Sequence, residues 1–240
     1  MSDRETPAAA SALSELRRRF KEICEATDKR FQNYQIRVHR ALSWWERAGE
    51  LDAEELPEAR LIFNWIAFNS LYGSWDGEGG APVGDRASWG AFLSRILRWG
   101  RQGLLASRLQ ELRDPVLKLF ENRFLDQQFW RLRDAYGNSR RPYFLGQSLY
   151  FERRWAKLLE MVFDRSYVLR SQIVHGAATR NSRLNREVLR EVLRLLEGFL
   201  EVVLTIVVES GAHDDWPALC YPPIEVDTNR RSAQIKRTPR

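Results

Sequence analysis

The sequence predicts an all-α fold, a helical bundle with long antiparallel core helices and loop insertions, and three observations predict it. Strand-like alternation of apolar and polar residues is nearly absent, apart from a short stretch around Ile224 to Val226. Long runs place apolar residues three or four apart, and the stretches between them are rich in Gly and Pro. The chain of 240 residues is 44% hydrophobic and holds nine Trp, enough to fill one good core and too apolar for a disordered polypeptide.

The elements follow in order. Ser11 to about Glu50 is rich in Leu, Arg, Glu and Ala, and Leu13, Leu16, Phe20, Ile23, Phe31, Tyr34 and Val38 keep a helical spacing for most of the run. This is one long helix or two with a break. "DAEELPEARLIFNWIAFNSLYGSW" opens with acids, which favour a helix N-terminus, and ends near Gly73. Residues 75–86, "WDGEGGAPVGDR", form a Gly- and Pro-rich loop. Shorter helical patterns cover about 87–100, 103–122 and 125–135, and a second loop is expected at 136–146, "YGNSRRPYFLG". Two more helices are expected, from about Ser148 to Val174 and from about Arg183 to Glu209. No internal repeat stands out. The expected organisation is a flexible N-terminus over 1–10, a single helical domain over 11–226 and a basic disordered tail over 227–240.

Charge and composition narrow the function classes. The net charge is +6, but Arg230, Arg231, Lys236, Arg237 and Arg240 supply five of those charges, so the body is nearly neutral. A basic tail of this kind reads first as a solvated terminus and second as a phosphate-seeking arm. No run of 18 apolar residues and no apolar leader occur, so no membrane association is expected. Cys24 and Cys220 are far apart, which fits a reducing, cytoplasmic setting. There is no phosphate-binding Gly loop, no dinucleotide fingerprint and no zinc-type His pair, so neither a metal nor another cofactor is expected. His39 reads as a surface residue between Arg37 and Arg40, and His213 as a capping or solvent-facing residue past a helix end.

One constellation carries chemistry: "YVLRSQIVHGAATR", residues 167–180. The preceding helix is lined with Phe151, Trp155, Leu158, Leu159, Val162, Phe163, Val168 and Leu169, so a charge at Arg170 is costly unless a partner or a groove meets it. On an ideal helix Arg170 and His175 stand about 140° apart and share a groove only if the helix unwinds near its end. Gly176 is the residue that permits the helix to end there. A His at a helix C-terminus lies at the negative end of the dipole, where a cation is stabilised. An arginine beside a titratable imidazole suits phosphodiester chemistry.

Arg, four intervening residues, then His and Gly at the end of a buried helix, followed by another long apolar helix, resembles the signature of the HEPN superfamily. The aromatic-rich "LIFNWIAFNSLYGSW" is similar to an early core helix of several HEPN families. The resemblance spans about residues 10–210. It implies an all-α, metal-independent endoribonuclease, of the kind found in toxin and antiviral (phage-defence) systems. It also implies a homodimer with RNA as substrate, attack by the RNA 2′-OH and a cyclic phosphate product. An antitoxin or larger effector is a further implied partner. Carried onto this chain, Arg170 would stabilise the phosphate charge and His175 would act as general base or acid. The residue after the Arg is commonly Asn, Asp or His in the family, and here it is Ser171, which can hydrogen-bond a phosphate or orient His175.

Supporting residues keep two readings each. Asn69, on an otherwise apolar face, is expected to be buried and hydrogen-bonded, either structurally or beside the cleft. Arg140, Arg141, Arg153 and Arg154, with Tyr143, mix basic and aromatic groups as an RNA groove would, or are acid-paired surface arginines. Trp44, Trp45, Trp75, Trp89, Trp99 and Trp130 read as core or dimer contacts. Two alternatives to the nuclease stay open: a catalytically inactive module of the same fold for dimerisation, RNA binding or regulation, and an unrelated all-α protein whose Arg170 and His175 are structural.

Overall fold

Helix α1 (Pro7–Ala26) and helix α2 (Gln32–Gly49) occupy the first long periodic run, so the expected single-or-broken helix is two. In the computed structural model the described residues are 7–26, 31–99, 102–132, 140–177 and 183–223. The stretch Ile224 to Val226 and the basic tail lie outside them. Helix α1 starts at Pro7, where Pro is at home in the first turn because no backbone N–H donor is needed there, and residues 1–6 of the N-terminus expected to be flexible over 1–10 lie outside the described residues. Helix α3 (Pro57–Tyr72) follows, again with Pro in its first turn.

The loop over 75–86 contains a small antiparallel hairpin, β1 (Trp75–Asp76) and β2 (Ala81–Pro82), that pairs Trp75 with Pro82 and Asp76 with Ala81. Helix α4 (Asp85–Arg98) comes next. The helix expected over 103–122 is two, α5 (Gln102–Glu111) and α6 (Arg113–Glu121), which meet at Leu112. A 3-10 turn at Arg123–Leu125 leads into the short α7 (Gln127–Arg131), whose N-cap Asp126 accepts from the Gln128 N–H.

Two expectations about the next region are corrected. The loop expected at 136–146 is helical from residue 141 onward, because Pro142 sits in the first turn of α8 (Arg141–Phe151) instead of breaking it. The single helix expected from Ser148 to Val174 is interrupted: α8 ends, and α9 (Trp155–Val174) begins after Arg153, a non-glycine residue with φ of 54°. Helix α10 (Arg183–Ser210), 28 residues long, closes the bundle.

α10 is the central helix. Val192, Leu196, Phe199, Val203, Ile206 and Val207 are fully or almost fully buried, and α1, α2, α3, α5 and α6 pack around it. α2 and α3 share the most extensive interface, as a short connection between antiparallel helices dictates. An aromatic cluster joins α3, α4 and α9. Phe68 stacks on Phe163 at 4.3 Å and 12°, while Trp65, Trp89 and Tyr167 meet edge-on or tilted at 5.3–5.9 Å. This cluster fixes the rotation of α9 about its axis, and with it the direction of every later side chain on that helix. α6 and α8 approach closely at Gly146, where a Cβ would stand 2.5 Å from Phe120 and 3.0 Å from Leu117.

Arg37 of α2 is 1% exposed. Its Nη1 donates to the carbonyls of Leu71 (3.2 Å) and Gly73 (2.6 Å), and its Nη2 to those of Pro217 and Ala218, each at 3.0 Å. Burial, and then the charges of Arg95 and Arg40, lower its pKa to about 10. One guanidinium thus closes the C-terminal end of α3, whose last carbonyls lack helical partners, and ties it to the C-terminal segment.

Two stability effects are expected in urea unfolding. Arg37→Met removes the guanidinium from the Leu71, Gly73 and Pro217 carbonyls, leaves Ala218 with only the Trp75 N–H at 3.3 Å, and lowers stability by about 3–5 kcal/mol. Gly146→Ala forces α6 and α8 apart and costs about 1–3 kcal/mol.

Candidate functional site

α9 runs unbroken to Val174, with His175 as its C-cap. Gly176 has φ of +70°; its N–H bonds the Ile173 carbonyl at 3.1 Å, and the Ala177 N–H bonds the Gln172 carbonyl at 2.8 Å. This pair of bonds is a Schellman closure, with glycine at the left-handed position as the sequence predicts. It stops the helix at His175 and leaves the imidazole exposed.

Because the helix does not unwind before its cap, Arg170 and His175 keep the angular separation of a regular helix, about 140°. They look onto different faces. His175 and Ser171, one turn apart, line a groove of about 310 Å3 together with Trp130, Tyr167, Val168 and Gln172. Arg170 is absent from that lining. Its guanidinium lies 5.8 Å from the Tyr167 ring centre, and its charge acts on the buried Tyr72, whose hydroxyl donates to Asp85 at 3.4 Å. Burial first, then Asp85, push the Tyr72 hydroxyl well above the usual phenol range, and Arg170 opposes them. Among the described residues Arg170 is half-buried and has no hydrogen bond or ion pair.

The groove wall is set from α9 itself. Arg165, 5% exposed, donates to the Asn122 carbonyl at 2.9 Å and to Asp126 at 3.1 Å, fixing the turn that leads into α7. The Phe124 carbonyl then accepts from both Trp130 Nε1 and Gln172 Nε2, each at 2.9 Å, which fixes the indole beside His175. Sequence reasoning missed Trp130, Gln172 and Arg165 as parts of this site. Arg165 had the same signal as Arg170, a charge among apolar residues of one helix; the other two had none.

Other expected residues lie elsewhere. Asn69 is half-buried, and among the described residues its side chain has no hydrogen-bond partner. The fully buried, bonded asparagine is Asn64, which donates to the Arg60 carbonyl and to Glu197, each at 3.1 Å. Arg140 is ion-paired with Glu121 and lies over Tyr143 and Phe144, and Arg154 is 3.6 Å from Glu152. Arg153 and Arg154 precede the 20-residue α9, so about 30 Å of helix separates them from His175. Arg141, in the first turn of α8, does not line the His175 groove either. The four arginines therefore do not assemble a groove at His175.

His39 is exposed, as expected; His213 is exposed and meets Phe31 edge-on at 5.3 Å. Of the tryptophans, Trp89 is core, Trp45 and Trp99 are half-buried against it, and Trp44, Trp75 and Trp130 are more than a third exposed. Cys24 and Cys220 are free thiols. Among the described residues no three His, Cys, Asp or Glu side chains gather as a metal site would require, and no helix is long and apolar enough to cross a membrane.

No protein-family model, no curated protein and no solved structure matches this chain. The all-α bundle defined above is the class to which it is assigned.

Gly176→Ala places a Cβ in open space but at a left-handed φ. The expected cost is about 1–2 kcal/mol in urea unfolding, with fraying of α9 from Gln172 onward that amide exchange detects.

Proposed function

We propose that this chain is a HEPN-type, metal-independent endoribonuclease that acts as a homodimer. The observation that carries the reading is a half-buried Arg170 without a carboxylate partner, five residues before an exposed, cap-fixed His175. A guanidinium in that position is costly unless an anion uses it, and the nearest titratable side chain at the helix end is an imidazole. Within one chain the two diverge around the helix, so a composite site needs a second copy, with His175 of one protomer facing Arg170 of its partner. Trp130 (43% exposed) and Val174 (51% exposed) supply apolar surface at this end of α9 for such a contact.

In the proposed reaction the RNA 2′-OH attacks the adjacent phosphorus. The O5′ bond breaks, and a 2′,3′-cyclic phosphate and a 5′-hydroxyl form. His175 accepts the 2′-OH proton or donates one to O5′, and Arg170 stabilises the charge building on the non-bridging oxygens. Ser171, on the His175 face, bonds a phosphate oxygen. A place in a toxin or phage-defence system, with an antitoxin or effector as regulator, belongs to the same proposal.

A second reading is favoured by one feature: the groove beside His175 is walled mainly by apolar groups and holds no arginine. That is the surface of an inactive module that dimerises or binds RNA without cutting it.

The test is incubation of mixed tRNA and single-stranded RNA with the purified protein in EDTA. The expected outcome is cleavage that leaves cyclic phosphate ends. His175→Ala and Arg170→Ala should each lower the rate by about 100-fold or more while unfolding like the parent. Binding and dimerisation without cleavage would select the inactive module. Equal cleavage by parent and variants would return both residues to structure.

A further inference from the structure

Helix α8 has two apolar faces, and only one of them is covered. Gly146, Leu149 and Tyr150 are buried against the bundle: Gly146 sits close to Phe120 and Leu117 of α6, and the Tyr150 hydroxyl donates to the Leu109 carbonyl at 2.9 Å. These contacts fix the rotation of α8, so its outer side chains cannot turn inward. On that outer side Phe144, Leu145 and Phe151 are 57%, 46% and 90% exposed. The sequence places Phe151 among the buried residues of one long helix; the left-handed turn at Arg153 ends α8 before α9 starts and leaves the ring in solvent.

The surroundings of this face narrow what can cover it. Arg140 and Arg141 stand at one end and Arg153 and Arg154 at the other, against Glu121, paired with Arg140, and Glu152, 3.6 Å from Arg154; two positive charges remain after these carboxylates are counted. The adjoining pairs Lys157–Glu160 and Arg113–Asp114 cancel. The basic end of the chain and a second copy of the face would both meet like charge. With a large side chain worth about 150–250 Å2, the three exposed residues offer on the order of 350 Å2. A second copy would have to complete the roughly 800 Å2 per partner of a stable dimer with this same rim set against itself. A lipid layer is disfavoured by Glu152, which accepts from Ser148 Oγ at 2.7 Å. By helical spacing Ser148 and Glu152 fall between Phe151 and Leu145 around the axis, where burial in lipid would strip the carboxylate of water.

We propose that the outer face of α8 is a docking surface for an acidic amphipathic helix of another protein. The apolar stripe of that helix covers Phe144, Leu145 and Phe151, and its carboxylates meet the arginines at the two ends of the face. α8 has 11 residues, about three turns, so a partner helix of ordinary length spans it. The face shares no residue with the groove beside His175 and does not depend on the nuclease reading.

The probe is a labelled synthetic peptide of about 18 residues, with leucine along one helical stripe and glutamate elsewhere, titrated with the full chain and followed by fluorescence anisotropy. The same peptide with lysine in place of glutamate, and phosphatidylglycerol vesicles, are the parallel arms. The acidic peptide is expected to bind in the micromolar range and the lysine peptide is not. Phe151→Ser, at an exposed position, should weaken binding at least tenfold and leave the unfolding temperature and any RNA cleavage unchanged. Arg153→Gln combined with Arg154→Gln should weaken it and flatten its dependence on salt. No binding of the acidic peptide at millimolar concentration, equal binding of the lysine peptide, or equal binding by Phe151→Ser would each overturn the proposal. Tighter binding to the vesicles, or a dimer that Phe151→Ser breaks, would do so as well, by giving the face to lipid or to a second copy.

Discussion

The buried guanidinium of Arg37 is the interaction on which the arrangement of the other elements depends. A charge taken out of water without a carboxylate is tolerated only when enough dipoles converge on it, and here four carbonyls from two separate segments do so. Two belong to the end of α3 and two to the stretch after α10, so the first third of the chain and its C-terminal part are held to one atom group. The Trp216 ring, 5.7 Å away, covers the guanidinium and itself meets Arg95 at 4.8 Å. Arg95 and Trp99 in turn bond Asp214; burial alone would raise that carboxyl, and these donors outweigh it and hold it below its ordinary range. The end of α3 set in this way fixes Tyr72, whose hydroxyl feels the charge of Arg170. The chemistry proposed at the end of α9 thus rests on a clamp two helices away.

The same logic explains why the groove beside His175 has a definite shape. α9 is rotated by aromatic packing against α3 and α4, and α7 is pinned to α9 by Arg165 and by the shared Phe124 carbonyl. Arg165 holds Asp126 at the start of α7, and Trp130 and Gln172 share the Phe124 carbonyl, so the wall is positioned from the helix that bears the histidine.

Much of this was legible in the sequence, and the failures have physical causes. Periodicity located the long helices, and Gly176 correctly marked the end of α9, because left-handed backbone and glycine are tightly coupled. The break between α8 and α9 was illegible because Arg153 holds a left-handed conformation without the residue that normally announces it. Pro142 misled in the other direction: the same residue type that breaks a helix interior starts a helix at its first turn. The spacing of Arg170 and His175 gave their angular separation correctly, whereas the lining of the groove by Trp130 and Gln172 depends on long-range contacts that no local pattern encodes. Asn64 and Asn69 sit on one helix five residues apart, and only the packing of Glu197 against α3 decides which is buried and bonded.

Arg153 also bears on how this protein could change over time. A non-glycine residue in the left-handed region stores about 1–3 kcal/mol of backbone strain. Glycine would remove most of it, and arginine and glycine codons can differ by a single base. The joint between α8 and α9 is therefore a reserve of robustness within one mutational step. A lineage that draws on it gains room to accept a destabilising substitution elsewhere, such as one that reshapes the His175 groove for a different ligand.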